Sequence, residues 1–307
     1  MSPKLKRWTP ETSPALPVFL LLVFTAAGVH ASPDILARAE SYFTSGEHEA
    51  GLRFLEYQLP ELTDTREKTD ALILLAQFSL NWSQQLEKKG ARKEELLQLL
   101  MRGRTWADDA ISLDPYNEKA YFWRASTLGR WGQVKGLFEA LSRTREMRED
   151  LIRSVEINPS YTPSWYVLSM LYEQLPGGII SFGDPDISVS LGRKAAASQD
   201  SKAAGKEERR IGWDYYIQLA RSLMKRNWDP KRRIREKGEK AAAYENAVGV
   251  FEKGSLYEGI CEIESISDRK EAESILRWVV ASIENRPQMK LLYEEDYAKA
   301  EELLKRF

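Results

Sequence analysis

The chain has 307 residues, 43% of them apolar and 30% charged, with a net charge of −1. That length buries a core in one large domain or two small ones, and short mixed charge runs exclude a chain built for bulk nucleic-acid binding. The single Cys261 closes no internal disulfide, and His30 and His48 are too few for a His/Cys metal cluster, so no metal or cofactor is expected.

At the start, Lys4, Lys6 and Arg7 precede the apolar run "ALPVFLLLVFTAAGV", residues 15–29, and small Ala31 follows. Basic start, short apolar centre and small-residue exit make a secretory signal peptide over residues 1–31. The other reading is a retained anchor, but the run falls short of the roughly 20 residues a spanning helix needs and Pro17 interrupts it. No cysteine near the exit offers lipid attachment. Cleavage removes three bases and one acid, and the expectation is a mildly acidic periplasmic protein with no stable membrane insertion.

Beyond the leader, helical spacing prevails and no convincing strand alternation appears. Residues 33–59 read as two antiparallel helices split at Gly46, and 66–88 with 92–113 as a longer pair split at Gly90. Next, "AISLDPYNEKAYFWRA" and "RSVEINPSYTPSWYVLS" align without gaps on Pro115 and Pro159. The second places Trp165, Leu168, Ser169 and Tyr172 at i, i+3, i+4 and i+7, the tetratricopeptide (TPR) first-helix signature. The first has Tyr121, Ala125 and Leu128 at those places, with Arg124 where Leu is expected. The two prolines are 44 residues apart, so extra length is expected near "GQVKGLFEALS". Residues 35–55 fit the pattern more loosely.

The stretch "LPGGIISFGDPD", residues 175–186, reads as the joint between a helix ending near Gln174 and one starting near Ile187. Yet Ile179, Ile180 and Phe182 are apolar where a loop should be polar, so they tuck into the core, a cavity mouth or a partner. Residues 225–240, "KRNWDPKRRIREKGEK", carry eight bases and three acids and read as a solvated linker or helix face rather than a nucleic-acid patch. The last segment, 288–307, lines Met289, Leu292, Tyr293, Tyr297, Ala300, Leu303, Leu304 and Phe307 along one stripe, as in an amphipathic helix closing a stack.

Chemistry is hard to find. No Lys-Ser or Lys-Thr follows the glycines, so there is no phosphate loop, and no G-x-S-x-G is present. Cys261 lies among acids that raise a thiol pKa, and pairs such as Asp108/Asp109 and Glu294/Glu295 read as solvated faces. Catalytic residues are therefore not expected. Aromatic density is what stands out, with clusters around Tyr121, Trp165 and Trp213. Two readings stay open: core packing between layers, or a concave aromatic channel. The candidate ligand or partner contacts are Trp123, Trp131, Trp165, Tyr166, Phe182 and Trp213.

Four stretches together resemble a known family: "ALILLAQFSLNWSQQL" with "LLMRGRTWADDAISLDP"; "AYFWRASTLGRW"; "INPSYTPSWYVLSMLYEQLPGG" on to Gly183-Asp184-Pro185; and "LLYEEDYAKAEELL". The chain is similar to the T component associated with tripartite ATP-independent periplasmic (TRAP) transporters, a periplasmic TPR protein. The likeness spans most of 33–225 and resumes near 268, leaving about 226–265 as a divergent or inserted segment. It implies an all-α, TPR-like helical hairpin stack (an α-solenoid) over residues 32–307 with a C-terminal capping helix. It also implies a scaffold that binds the TRAP solute-binding protein, helps handle a small apolar organic acid, and self-associates as a homo-oligomer, a trimer. The rival readings are a general periplasmic TPR adaptor for extended peptides or envelope-assembly proteins, and a hydrolase with an unseen carboxylate site.

Overall fold

Glycines in left-handed backbone set the first turns: Gly46 at φ 76° and Gly90 at φ 78°, where a Cβ would be strained. Around them lie α1 (Pro33–Thr44), α2 (His48–Gln58), α3 (Thr65–Lys88) and α4 (Lys93–Leu113), close to the boundaries expected from the sequence. The Asp64 carboxylate accepts the Glu67 backbone N–H and caps α3. This computed structural model describes residues 33–203, 212–286 and 291–307. Residues 1–31, on which the export reading rests, and Met289 lie outside the described residues.

The two aligned prolines mark equivalent corners. After Pro115 comes α5 (Glu118–Lys135), and after Pro159 comes α7 (Thr162–Gln174). Tyr121 Oη donates to the Pro115 carbonyl at 3.2 Å, and Trp165 Nε1 donates to the Pro159 carbonyl at 2.9 Å, each six residues back. Asp114 and Asn158 accept the backbone N–H two residues on, at 3.0 Å in both corners. Between these corners α6 (Leu137–Ile157) follows Gly136, whose φ is 130°. The extra repeat length is thus taken up by two long helices rather than by a loop. Arg124, the departure from the TPR pattern, pairs with Asp150 through Nε at 2.9 Å and with Asp108 through Nη1 at 2.9 Å, tying α4, α5 and α6 together. Burial pushes the Asp150 carboxyl up, and Arg124 opposes that shift.

Small residues sit where helices cross. Ser169 of α7 donates to the Ser188 carbonyl of α8 (Pro185–Ala203), and the Ser188 hydroxyl meets that of Ser222 on α9 (Trp213–Arg226) at 2.7 Å. Gly103 of α4 leaves room for α3 and α5: a Cβ there would stand 1.9 Å from Ser79 Oγ and 3.1 Å from Thr127 Cγ2. Gly103→Val is accordingly expected to destabilise by about 1–3 kcal/mol through overpacking, measured as a fall in the urea midpoint. Adding Ser79→Ala should recover part of that loss.

Past α9 the chain leaves the stack through α10 (Pro230–Asn246), α11 (Val250–Ser255) and a 3-10 turn at Tyr257–Ile260. It returns with α12 (Asp268–Glu284), which packs directly on α9, while α11 lies against α6 and α8. The excursion is held by an ionic cluster that runs through "KRNWDPKRRIREKGEK", and this corrects the reading of that stretch as a solvated linker or face. Arg226, Arg233 and Lys240 are buried, although Arg232 and Arg235 do face solvent. The Arg226 guanidinium donates to Asp268, Glu258 and Asp186; Lys240 reaches Glu258 at 3.0 Å; Arg193 binds Glu271 through both Nη atoms at 2.8 Å. Trp228 lies under Arg226 and Arg232, with ring-centroid distances of 4.2 and 4.3 Å.

The end of the chain is α13 (Glu294–Leu304), shorter than the helix expected from 288. Tyr293, Ala300 and Leu303 are buried against α9 and α12, while Leu292 and Phe307 of the anticipated stripe are exposed. Among the described residues there is no strand, and none of the helices is long and apolar enough to cross a membrane. The molecule is an all-α stack of TPR-like hairpins closed by a capping helix.

Candidate functional site

On α6, Met147, Leu151 and Val155 form the buried stripe, and Arg148 stands at its edge, half-buried. Arg148 Nε donates to Tyr172 Oη at 2.7 Å. Its Cζ lies 5.1 Å from the Phe182 ring centroid, 5.6 Å from Phe251 and 5.7 Å from Tyr172, within the range at which a cation is attracted by ring faces. Tyr172 and Phe182 meet edge to face at 5.1 Å. Burial pushes the Tyr172 hydroxyl pKa up despite the Arg148 charge, so it stays protonated and neutral.

Each ring has a separate reason to be there. Tyr172 closes the TPR signature of α7 and is buried. Phe182 is delivered by a pinned loop: the Gly183 N–H donates to the Pro176 carbonyl at 3.0 Å and the Asp184 N–H to the Tyr172 carbonyl at 2.9 Å. Gly183 is required, because a Cβ there would meet the Leu175 carbonyl oxygen at 2.0 Å. The Asp184 carboxylate accepts from the backbone of Asp186 and Ile187 and so starts α8. Of the three apolar loop residues, Phe182 tucks against the cage, whereas Ile179 and Ile180 at the tip are exposed by 107% and 76%. Phe251 comes from α11, on the excursion.

Arg124, Arg193, Arg226 and Arg233 are each engaged by carboxylates. Arg148 makes no ion pair, and both its Nη atoms lack a hydrogen-bond partner among the described residues while still reaching solvent. With Nε occupied by Tyr172, the free edge of the guanidinium is the one that holds a carboxylate through two parallel hydrogen bonds.

The six aromatics marked in the sequence fall into distinct places. Trp165 is fully buried in the central cluster, and Trp123, Trp131, Tyr166 and Phe182 pack against that cluster half-buried. Trp213 belongs to the C-terminal cluster, where it meets Trp278 edge to face at 5.3 Å. Phe182 alone of the six contacts the Arg148 cage. Tyr166 lines a second cleft of about 410 Å³ with Tyr215, Asp214, Asp296 and Lys299. There burial, then the Asp296 charge, pushes the Asp214 carboxyl up, and burial with Asp214 pushes Tyr215 up to about 12. Arg148 and Phe251 were missed by sequence reasoning: the first sits in the charged run "RTREMRED", the second in the segment set aside as divergent. Cys261 has a raised thiol pKa, as its acidic neighbours suggest, but burial is the larger cause. Among the described residues no group of His, Cys, Asp and Glu is arranged to hold a metal ion.

Residues 35–172 match the family model of regulator of microtubule dynamics protein 1-3. No curated protein matches. Among solved structures, a thermophilic TPR protein of Thermus thermophilus is similar at 17% identity, covering 70% of this chain and 90% of that one with a TM-score of 0.46. The family likeness therefore covers α1 to α7, with Arg148 and Tyr172 inside it and Phe182 and Phe251 beyond it.

Proposed function

We propose that this protein is a periplasmic binding scaffold that performs no bond chemistry, partners the solute-binding protein of a TRAP-type transporter and helps handle a small apolar organic acid. One observation carries the ligand half of this reading: a half-buried arginine that forms no ion pair among the described residues, ringed by Tyr172, Phe182 and Phe251. The partner half rests on the sequence resemblance, together with the exposed Ile179–Ile180 tip of the loop that carries Phe182, whose burial on contact favours a protein surface. The self-association implied by the same resemblance, as a trimer, belongs to this proposal. The adaptor reading differs in its partners: it calls for many extended peptides held along an open groove.

The test is a pull-down from native envelope extract using the full chain with a C-terminal tag, followed by mass spectrometry. One TRAP solute-binding protein in near-equal amount is the expected result. A spread of unrelated envelope proteins would sink the transporter reading in favour of the adaptor.

A further inference from the structure

We infer that the Arg148 cage is a small-molecule site for a monocarboxylic acid, its carboxylate on the Nη1–Nη2 edge and its aryl or alkyl body on Phe182 and Phe251. The inference rests on the binding-scaffold reading and names the ligand class of that site. Three features select the class. The cation is held in place before binding, because Tyr172 Oη fixes Nε at 2.7 Å and three rings surround the guanidinium. A pre-oriented arginine loses less freedom on taking up a planar carboxylate than a mobile one. Among the described residues Arg148 forms no ion pair, and the nearest acid, Asp184, acts on the Tyr172 hydroxyl. A singly charged anion brings the least negative charge beside that acid and the apolar rings; a phosphate dianion would bring more. The Phe182 and Phe251 rings are apolar, and burial of the ligand's body against them is favourable in proportion to the area covered.

The same features account for the loop. Gly183 and the pinned neck place Phe182 on the guanidinium. Phe251 reaches the guanidinium because α11 lies against α6 and α8, and the ionic cluster secures the elements on either side of α11, α10 and the Tyr257–Ile260 turn.

The experiment is calorimetric titration of the full chain with 3-phenylpropionate and, separately, with the uncharged 3-phenylpropanamide; octanoate serves as the alkyl acid. Saturable binding of an acid at one site per chain is expected, with the amide weaker by about tenfold or more, as loss of a charge-assisted hydrogen-bond pair implies. Arg148→Gln should lower acid affinity by about tenfold or more and bring acid and amide together. Arg148→Lys, which keeps the charge but not the fork, should fall between. Phe251→Leu, which leaves the guanidinium in place, should weaken acid and amide alike. Equal binding of acid and amide, an Arg148→Gln variant that binds as the parent does, or no saturable binding of either acid would overturn the inference. Melting curves of each variant separate lost binding from lost folding. An intact partner complex with no acid binding defeats only this inference, whereas acid binding with no dominant partner defeats only the transporter reading.

Discussion

Asp268→Ala is expected to lower folding stability by about 3–5 kcal/mol, the range for removing one partner of a buried ion pair. Asp268 is fully buried and accepts hydrogen bonds from Arg226 Nε and Nη2, both at 2.8 Å, and from the Trp228 backbone N–H at 2.9 Å. Arg233 Nε stands 2.9 Å away as an ion pair whose angle is too poor for a hydrogen bond. Among the described residues the cluster sets Arg193, Arg226, Arg233 and Lys240 against Asp186, Glu258, Asp268 and Glu271, so opposite charges balance. Losing one acid leaves cationic charge in excess in a site with little water to solvate it. The urea midpoint measures the loss. Because α10 and the Tyr257–Ile260 turn hang on this cluster through Arg233, Lys240 and Glu258, proteolysis between residues 230 and 260 should accelerate as well. Asp268→Asn, which keeps an acceptor, should cost less.

Acid should undo the same cluster. Burial pushes Glu258 and Glu271 up, but hydrogen bonds from Arg226 and Arg193 and the charges of Lys240 and Arg233 outweigh it and hold both carboxyls below the usual range. A carboxyl depressed in the folded state contributes stability that is fully present above its unfolded pKa and is lost as pH falls through the folded one. Stability should therefore begin to decline below about pH 4.5, the ordinary value for these glutamates. Glu258→Gln should be less stable than the parent at pH 7, with the gap narrowing on acidification. A gap that stays constant from pH 7 to pH 3 would remove the assignment.

Trp165→Ala is the second large effect, about 3–5 kcal/mol for deleting a buried indole and leaving a cavity. Trp165 has no exposed surface, donates its indole N–H to Pro159, and packs with Leu168, Leu151 and Leu191 in the central cluster. The excursion also leans on it. A Cβ on Gly254 would come within 2.3 Å of the indole ring, so α11 approaches backbone-first at this point. The substitution should thus loosen α11 and, with it, Phe251. Two readouts separate the effects: thermal unfolding for the core, and acid affinity at a temperature where the variant remains folded. Trp165→Phe should recover most of the stability.

The hairpins were legible because their signals are local. Gly46, Gly90 and the two Asp/Asn-Pro corners each fix a turn within a few residues, and the Trp165–Leu168–Ser169–Tyr172 spacing marks one helix face. Phe182 was legible as an apolar residue out of place in a loop. The ionic cluster was not, because burial of a charge leaves no period in the chain. Arg226 finds Asp268 at a separation of 42 residues, and nothing in "KRRIREK" distinguishes Arg233, which is buried, from Arg232 and Arg235, which are not. Arg148 escaped for a similar reason: its distinction is the lack of an ion pair among the described residues, a property of neighbours brought in from α7, the loop and α11.

The docked excursion also fixes an order of assembly. Contacts within a hairpin close short loops and form early, whereas those between distant segments wait for slower chain closure. Arg148 and Tyr172 are neighbours in consecutive helices, and Phe182 follows directly, but Phe251 lies a third of the chain beyond Arg148. The cage is therefore expected to acquire its last wall after the stack to which it belongs, when α11 docks on α6 and α8. A ligand that needs all three rings binds only the finished molecule, and by mass action it draws the late-docking segment home.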